Sequence, residues 1–433
     1  MQTSYTSNTF KHFYFAIVLI LFNMISGCEG CGGLSDWVPK VGEQNKGTAA
    51  RANEGALKQT DPVQSDQQTH QQQPAQQTYQ QPTPQSPHRF GIVLLHGLLG
   101  SRDGIAEMTA YFQKQFGDEV CILVPTSRAE WNSVNLSIAA QKEKVLAEIQ
   151  TELAHRGLPG DFPIVPIGYS QGGLIACKLV ADGELNSIAF ATVNAPLMGT
   201  RFGKILQGLG QLQKGFQLSK QHTKGYVDLS QLAGALNADG IQDLVPDSAA
   251  IRANQAFLAG GSNNVPGLLV SGFIDDPANK LGLPLPSDWL QQAKAFLLGV
   301  EMDDLNLNKP HDHPFNPFYA LLLTGKKNAN HDSLLSVATQ LSQSETVDLT
   351  TCLDHASEHR SCTIDPLFPN VKGQIYKDVA HSPYRFNDLG IDFGMETALN
   401  SKRVFDGLGA FVREQTKQFT SNQTSRRQNR NAG

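Results

Sequence analysis

Ser170 stands between two glycines, in Gly168-Tyr169-Ser170-Gln171-Gly172, where an apolar run changes its rhythm. A serine hydroxyl is too weak an acid to attack a carbonyl carbon unaided. A histidine must take its proton, and a carboxylate must orient that histidine. The chemistry this residue type can do is therefore acyl transfer through a covalent intermediate. The pentapeptide alone does not establish it, because a chain with 39 glycines meets G-x-S-x-G by chance. The elements around it have to supply a turn, a base, an acid and donors for an oxyanion.

The turn is legible. "FPIVPI" (162–167) reads as a buried strand and "GGLIACKLVAD" as a helix, so Ser170 falls at a strand-to-helix turn of the nucleophile-elbow kind. Small neighbours are needed there, and the two glycines provide them. The helix start presents unpaired N–H groups and partial positive charge, which makes the Gln171 N–H the first oxyanion donor. The second is expected from the loop after an earlier strand. In "LLHGLLGS", His96-Gly97 ends a strand and the Leu98 N–H turns inward. His96 lies upstream of the serine and reads as a structural prop for that loop.

Around the elbow, apolar runs rich in β-branched residues alternate with helical patterns. "RFGIVLLHG", "DEVCILVPTS", "NSIAFATVN", "VPGLLVSGF" and "GQIYKDVA" read as strands, and residues 135–156 carry apolar positions at helical spacing. This predicts an α/β protein with a mostly parallel central sheet, helices on both faces and chemistry at the carboxyl ends of the strands. Residues 89–415 read as one such domain. Within it, 201–260 is a candidate inserted helical cap or lid, or a plain helical excursion.

With these stretches in place, the sequence resembles the α/β-hydrolase lipases, in particular bacterial triacylglycerol lipases of the Pseudomonas type. The matching stretches are "IVLLHGLLGS", "IGYSQGGLIA", "VNAPLMGT" and "NHDSLLSVATQ", spread from Arg89 to roughly Phe411. The resemblance implies the chain order serine, acid, histidine. His381, the only histidine after "GQIYKDVA", is then the base; His311, His313, His331, His355 and His359 lie in polar stretches. The acid is contested. Asp275 and Asp276 follow the strand "GLLVSGF", where a generic hydrolase places it. Asp332 sits in a segment that resembles the lipase pattern N-D-G-L-V, with His331 for its asparagine and Ser333 for its glycine. Asp332 is preferred. Those lipases bind a structural calcium through an aspartate soon after the base, but "HSPYRFND" lacks that match, so no metal is carried over and no cofactor is expected.

The remainder concerns location. Lys11, then "FYFAIVLILFNMISG", then Cys28 reads as an export signal over 1–27. "ISGC" resembles a bacterial lipobox, which would make Cys28 a lipidated mature N-terminus that tethers the protein to an envelope membrane; the alternative is ordinary secretion. Residues 28–88 are Gln- and Pro-rich and read as a disordered stalk. The tail 416–433 is polar and expected to fray. Cys352 and Cys362 in "CLDHASEHRSC" read as a disulfide closing a short loop rather than as zinc ligands with His355 and His359. A net charge of -5 gives no reason to expect nucleic acid. The expected function is hydrolysis of acyl-chain esters, of the lipase or phospholipase kind. A thioesterase or acyltransferase on the same triad, or a non-catalytic surface lipoprotein, stand as alternatives.

Overall fold

The strand runs owe their burial to helices on both sides. In the computed structural model, β1 (Phe90–Leu95), β3 (Ile164–Tyr169), β4 (Phe190–Val193) and β5 (Gly267–Phe273) are buried at every position. Such continuous apolar runs suit parallel strands covered twice, not alternating half-exposed ones. With β2 (Val120–Leu123), β6 (Ser361–Phe368) and β7 (Val371–Lys377) they form one seven-stranded sheet in the order β2-β1-β3-β4-β5-β7-β6. All neighbours are parallel except the hairpin β6-β7.

The structure describes residues 88–200, 238–275, 329–332, 334–344, 346–381, 385–386, 391–392 and 396–431. The expected signal, Cys28, the stalk, Asp276 and residues 201–237 of the candidate lid lie outside them. Among the described residues no helix is long and apolar enough to cross a membrane.

Side chains divide by strand parity into two cores. On one face, Val93, Leu95, Phe190 and Leu269 meet α3 (Ile138–His155), α4 (Gln171–Asp182) and α6 (Ala249–Ala259). On the other, Ile92, Leu94, Val165 and Val270 meet α1 (Ala106–Phe116) and α9 (Lys402–Asn431). Burying a leucine or phenylalanine fully contributes roughly 1.5–3 kcal/mol, so these two layers supply most of what holds the sheet. Helix starts are capped where the sequence offers serine: Ser137 Oγ accepts from Ala140 N–H (3.1 Å) and Ser248 Oγ from Ile251 N–H (3.2 Å).

Several elements differ from the sequence reading. Helix α6 falls inside the 201–260 range, yet it is a layer helix: Phe257 packs on Phe190 (centroids 5.6 Å apart) and Asn254 reaches the Leu174 carbonyl. Helix α9 continues to Asn431, through the tail expected to fray. Its first four turns bury Val404, Leu408 and Val412, and in the polar remainder the hydroxyls of Thr416, Thr420, Ser421, Thr424 and Ser425 donate to carbonyls four residues back along the helix. A short helix, α8 (Thr350–His359), and the antiparallel edge strand β6 occupy a stretch that read only as polar. Cys352 on α8 and Cys362 on β6 are joined by a disulfide, with Cα atoms 5.7 Å apart.

Candidate active site

Between β3, which ends at Tyr169, and α4, which begins at Gln171, Ser170 alone makes the turn. Its backbone sits at φ 52°, ψ −127°, a strained conformation of a kind that costs about 1–3 kcal/mol and persists only where the surroundings enforce it. They do so through backbone contact. A β-carbon on Gly168 would overlap the Gly172 carbonyl, and one on Gly172 would overlap the carbonyls of Leu95 and His96. Both glycines are therefore required by close approach. Ser170 N–H donates to the Val193 carbonyl of the next strand (2.9 Å), which pins the elbow to the sheet.

His381 lies in the loop after β7 and meets Ser170 across the strand ends. Ser170 Oγ is 3.0 Å from His381 Nε2, and His381 Nδ1 is 2.7 Å from Asp332 Oδ2. With a proton on Nδ1 directed at the carboxylate, Nε2 is free to accept from the serine hydroxyl. His381 is also fixed through its backbone: its N–H donates to the Asp332 carbonyl (2.8 Å), and its carbonyl accepts from the Tyr169 hydroxyl (2.5 Å). The Tyr169 and His381 rings lie 5.3 Å apart.

Asp332 is fully buried and accepts from four donors. Leu334 N–H and Leu335 N–H donate to Oδ1 (3.0 and 2.8 Å), while His381 Nδ1 and Asn194 Nδ2 (2.9 Å) share Oδ2. An aspartate bonding the N–H groups two and three residues on is a local turn that needs no glycine. That explains how a segment with Ser333 in place of glycine still forms it. The neighbour His331 is buried as well, and burial pushes its imidazole down to about 4 against the opposing pull of Asp332.

Asp275 is not brought to His381. Its carboxylate is mostly exposed and pairs with Lys377 Nζ at 3.0 Å. Asp276 lies outside the described residues.

The opposite side of Ser170 is built from backbone. The loop after β1 passes over the elbow so closely that a β-carbon on Gly97 would sit 2.9 Å from Ser170 Cβ. Leu99 takes a left-handed conformation (φ 56°). Leu99 N–H is engaged by Ser133 Oγ (2.7 Å) and Gly100 N–H by the Gly97 carbonyl (3.1 Å). No acceptor engages Leu98 N–H among the described residues. Gln171, as the first residue of its helix, has no intrahelical acceptor for its N–H. Among the described residues, neither N–H group thus has an acceptor. His96 is buried under this loop, held neutral by burial and by the nearby Arg128 charge, which bring its pKa down to about 3.

The sequence reading named the serine, the histidine and the preferred acid that the structure brings together. It missed Tyr169 and Asn194. Tyr169 lies within the quoted pentapeptide, but nothing in the pattern says where its hydroxyl goes. Asn194, buried at φ 47° after β4, stands in the quoted stretch "VNAPLMGT"; a non-glycine residue that tolerates the left-handed region was the one signal available.

Residues 88–230 match a family described as "Putative serine esterase (DUF676)". No curated protein matches the chain. Among solved structures, it is similar to phospholipase PlaB from Legionella pneumophila at 12% identity and a TM-score of 0.31, covering 43% of this chain and 40% of that one. It is also similar to the mature Bacillus licheniformis lipase BlEst2 (15% identity, TM-score 0.26, 45% and 68% covered). A third is the RedJ thioesterase of the prodiginine pathway in Streptomyces coelicolor (16%, 0.26, 47% and 82%). The match to PlaB spans about two fifths of that protein's length. By its sheet order and its elbow the chain has the α/β-hydrolase fold, and the segment that carries the elbow is similar to serine esterases.

Proposed function

We propose that the protein is a serine hydrolase that cleaves carboxylic esters of acyl chains, with Ser170 as nucleophile, His381 as base and then acid, and Asp332 as the residue that orients it. The observation that supports this most is the unbroken relay from Ser170 Oγ through the His381 ring to Asp332 Oδ2, at 3.0 and 2.7 Å, at the head of a helix.

In this reading Ser170 Oγ attacks the ester carbonyl while its proton passes to His381 Nε2. Asp332 keeps the imidazolium in place and stabilises its charge. The carbonyl oxygen becomes an oxyanion facing the Leu98 and Gln171 N–H groups; losing a donor of this kind raises the barrier by about 2.7–4 kcal/mol. The tetrahedral intermediate collapses, the alcohol leaves with the proton from Nε2, and an acyl-enzyme remains. Water, deprotonated by the same nitrogen, then releases the acid. No cofactor is called for by these steps.

We further propose that Cys28 is lipidated and tethers the catalytic domain to an envelope membrane through residues 28–88. The motif "ISGC" after an apolar run supports this. Two or three acyl chains, at roughly 0.8 kcal/mol per buried methylene, hold a soluble domain firmly.

Labelling with a fluorophosphonate probe, followed by peptide mapping, tests the nucleophile: the adduct is expected on Ser170 and nowhere else. Nitrophenyl esters of increasing chain length, run beside phospholipid and thioester substrates, test the substrate class. Thioesters turned over in preference to every oxygen ester would replace the ester reading. Mass spectrometry of the N-terminal peptide reads the anchor directly, and an unmodified N-terminus at another cut site would overturn it.

A further inference from the structure

Arg128, in the loop between β2 and α2 (Trp131–Asn135), is among the most deeply buried side chains of the protein. Among the described residues no carboxylate pairs with it. Its donors go to neutral acceptors: Nε to Gln141 Oε1 (2.9 Å), Nη2 to Gln171 Oε1 (2.8 Å), and Nη1 to the His96 carbonyl, with His96 Nδ1 at 3.1 Å. Burial draws its pKa down to about 9, which leaves it charged at neutral pH.

The acceptors belong to the two segments that flank Ser170. His96 opens the loop whose Leu98 N–H is the one proposed oxyanion donor, and Gln171 carries the other. A second tier closes the arrangement. Gln171 Nε2 donates to the Ser133 and Gly240 carbonyls (3.0 and 3.2 Å), and Gln141 Nε2 donates to the Ser133 and Leu136 carbonyls (3.0 and 2.7 Å). Ser133 Oγ accepts from Leu99 N–H and donates to the Glu130 carbonyl (2.6 Å), while Glu130 N–H donates to the Gly100 carbonyl (2.9 Å). Leu98 therefore sits between two anchored points, the His96 carbonyl held by Arg128 and the Leu99 N–H held by Ser133.

We infer that Arg128 is the positioning residue of the oxyanion hole, one guanidinium that fixes the Leu98 and Gln171 N–H groups relative to each other and sets behind both a positive charge that no carboxylate among the described residues pairs with. This rests on the serine-hydrolase reading above. Oriented donors in a dry site act most strongly when they need no reorganisation as charge develops, and a rigid planar fork holding two backbone segments provides that. A lysine at 128 keeps the charge but cannot span both acceptors in the same geometry.

The test uses the full-length protein and its Arg128→Lys, Arg128→Gln and Ser133→Ala variants. Lys142→Met serves as control, since it removes a buried cation far from the site whose partners are Glu143, Asp182 and Glu184. With a nitrophenyl ester, Arg128→Gln is expected to lower kcat by ~10²–10³-fold, the loss seen when one oxyanion donor is removed, with KM changed little. An alkyl boronic acid, which binds serine as a tetrahedral anion, should lose affinity in parallel. Arg128→Lys should recover part of both, and Ser133→Ala should lose less than Arg128→Gln. Lys142→Met should lower Tm without touching kcat. If Arg128→Gln does not fold, the Arg128→Lys and Ser133→Ala pair carries the same reading. Arg128 variants that lose Tm but keep kcat and boronate affinity would overturn the positioning role while leaving the serine-hydrolase reading intact. A wild-type protein that neither labels with fluorophosphonate nor turns over ester would instead overturn that reading, and this inference with it.

Discussion

The two sides of Ser170 are made of different material. On the histidine side, side chains do the work: His381, Asp332, Asn194 and Tyr169 form a chain of hydrogen bonds ending in a carboxylate with four donors. On the other side, the groups proposed as oxyanion donors are the backbone N–H groups of Leu98 and Gln171, whose segments are held from behind by neutral amides and one buried cation. The first side is sensitive to the identity of each residue. The second is sensitive to where the backbone lies, so its exposed side chains matter less than those underneath. Each side also carries one buried neutral histidine, His331 and His96 respectively.

Ser170→Ala is the deepest cut, because it removes the atom both sides serve. Hydrolysis should fall by ~10⁶-fold, with Tm nearly unchanged, and adding His381→Ala should cost little more because the triad acts as a unit. Steady-state rates corrected for contaminating esterase decide it; a single variant retaining a few per cent of turnover would remove Ser170 from the role.

Asp332→Asn breaks the histidine side alone. Turnover should drop by ~10⁴-fold, since the imidazolium loses its counter-charge and the ring its preferred tautomer, while fluorophosphonate labelling slows but still maps to Ser170. Full activity in this variant would mean that another carboxylate orients His381.

Asn194→Gly trims the same side more gently. Glycine keeps the left-handed backbone but removes one donor from Asp332 Oδ2. A hydrogen bond to a charged group contributes about 1.5–3 kcal/mol, so kcat should fall by one to two decades with KM little affected. An unchanged kcat would reduce Asn194 to a packing residue.

The two histidines compare the sides by stability rather than rate. Burial, helped at His96 by Arg128, holds them near 3 and 4 in the folded chain, against 6.5 when exposed. Between those values the unfolded chain binds protons that the folded chain excludes. Stability is therefore whole above pH 6.5 and is lost as pH falls toward 4. For His331 alone the loss approaches about 3 kcal/mol, and His331→Gln should flatten the slope. Guanidinium chloride denaturation at pH 7, 5.5 and 4 reads this; equal slopes in variant and wild type would contradict it.

Smallest of all is Asp275→Asn. The pair with Lys377 is solvent-exposed, so rates should not move and stability should shift by no more than ~1 kcal/mol. A crippled enzyme here would transfer the acid's role away from Asp332.

What the sequence disclosed follows the same division. Ser170 and its glycines were legible because close backbone approach excludes other residues, and the strands because burial on both faces demands unbroken apolar runs. His381 was legible from its place after the last apolar strand. Arg128 was not, because a polar loop such as "PTSRAEWNS" gives no sign that its arginine turns inward. Asn194 and Tyr169 act through partners 138 and 212 residues away in the chain, a separation no local pattern encodes. The edge strand β6 was not legible because none of its positions is buried, and helix α9 outruns its apolar stripe into a polar stretch that carries no helical pattern.

The sheet order has a consequence for a chain made from its N-terminus onward. Strands β2, β1, β3 and β4, with the elbow between them, can assemble from the first part to emerge, whereas β7 must slot between β5 and β6 near the end of synthesis. On the proposed triad, Ser170 and the Leu98 and Gln171 N–H groups are therefore synthesised long before their base. Ser170 gains that base only when the final hairpin arrives with His381 behind it. In that reading, the order of the strands along the chain places the completion of the triad among the last events of synthesis.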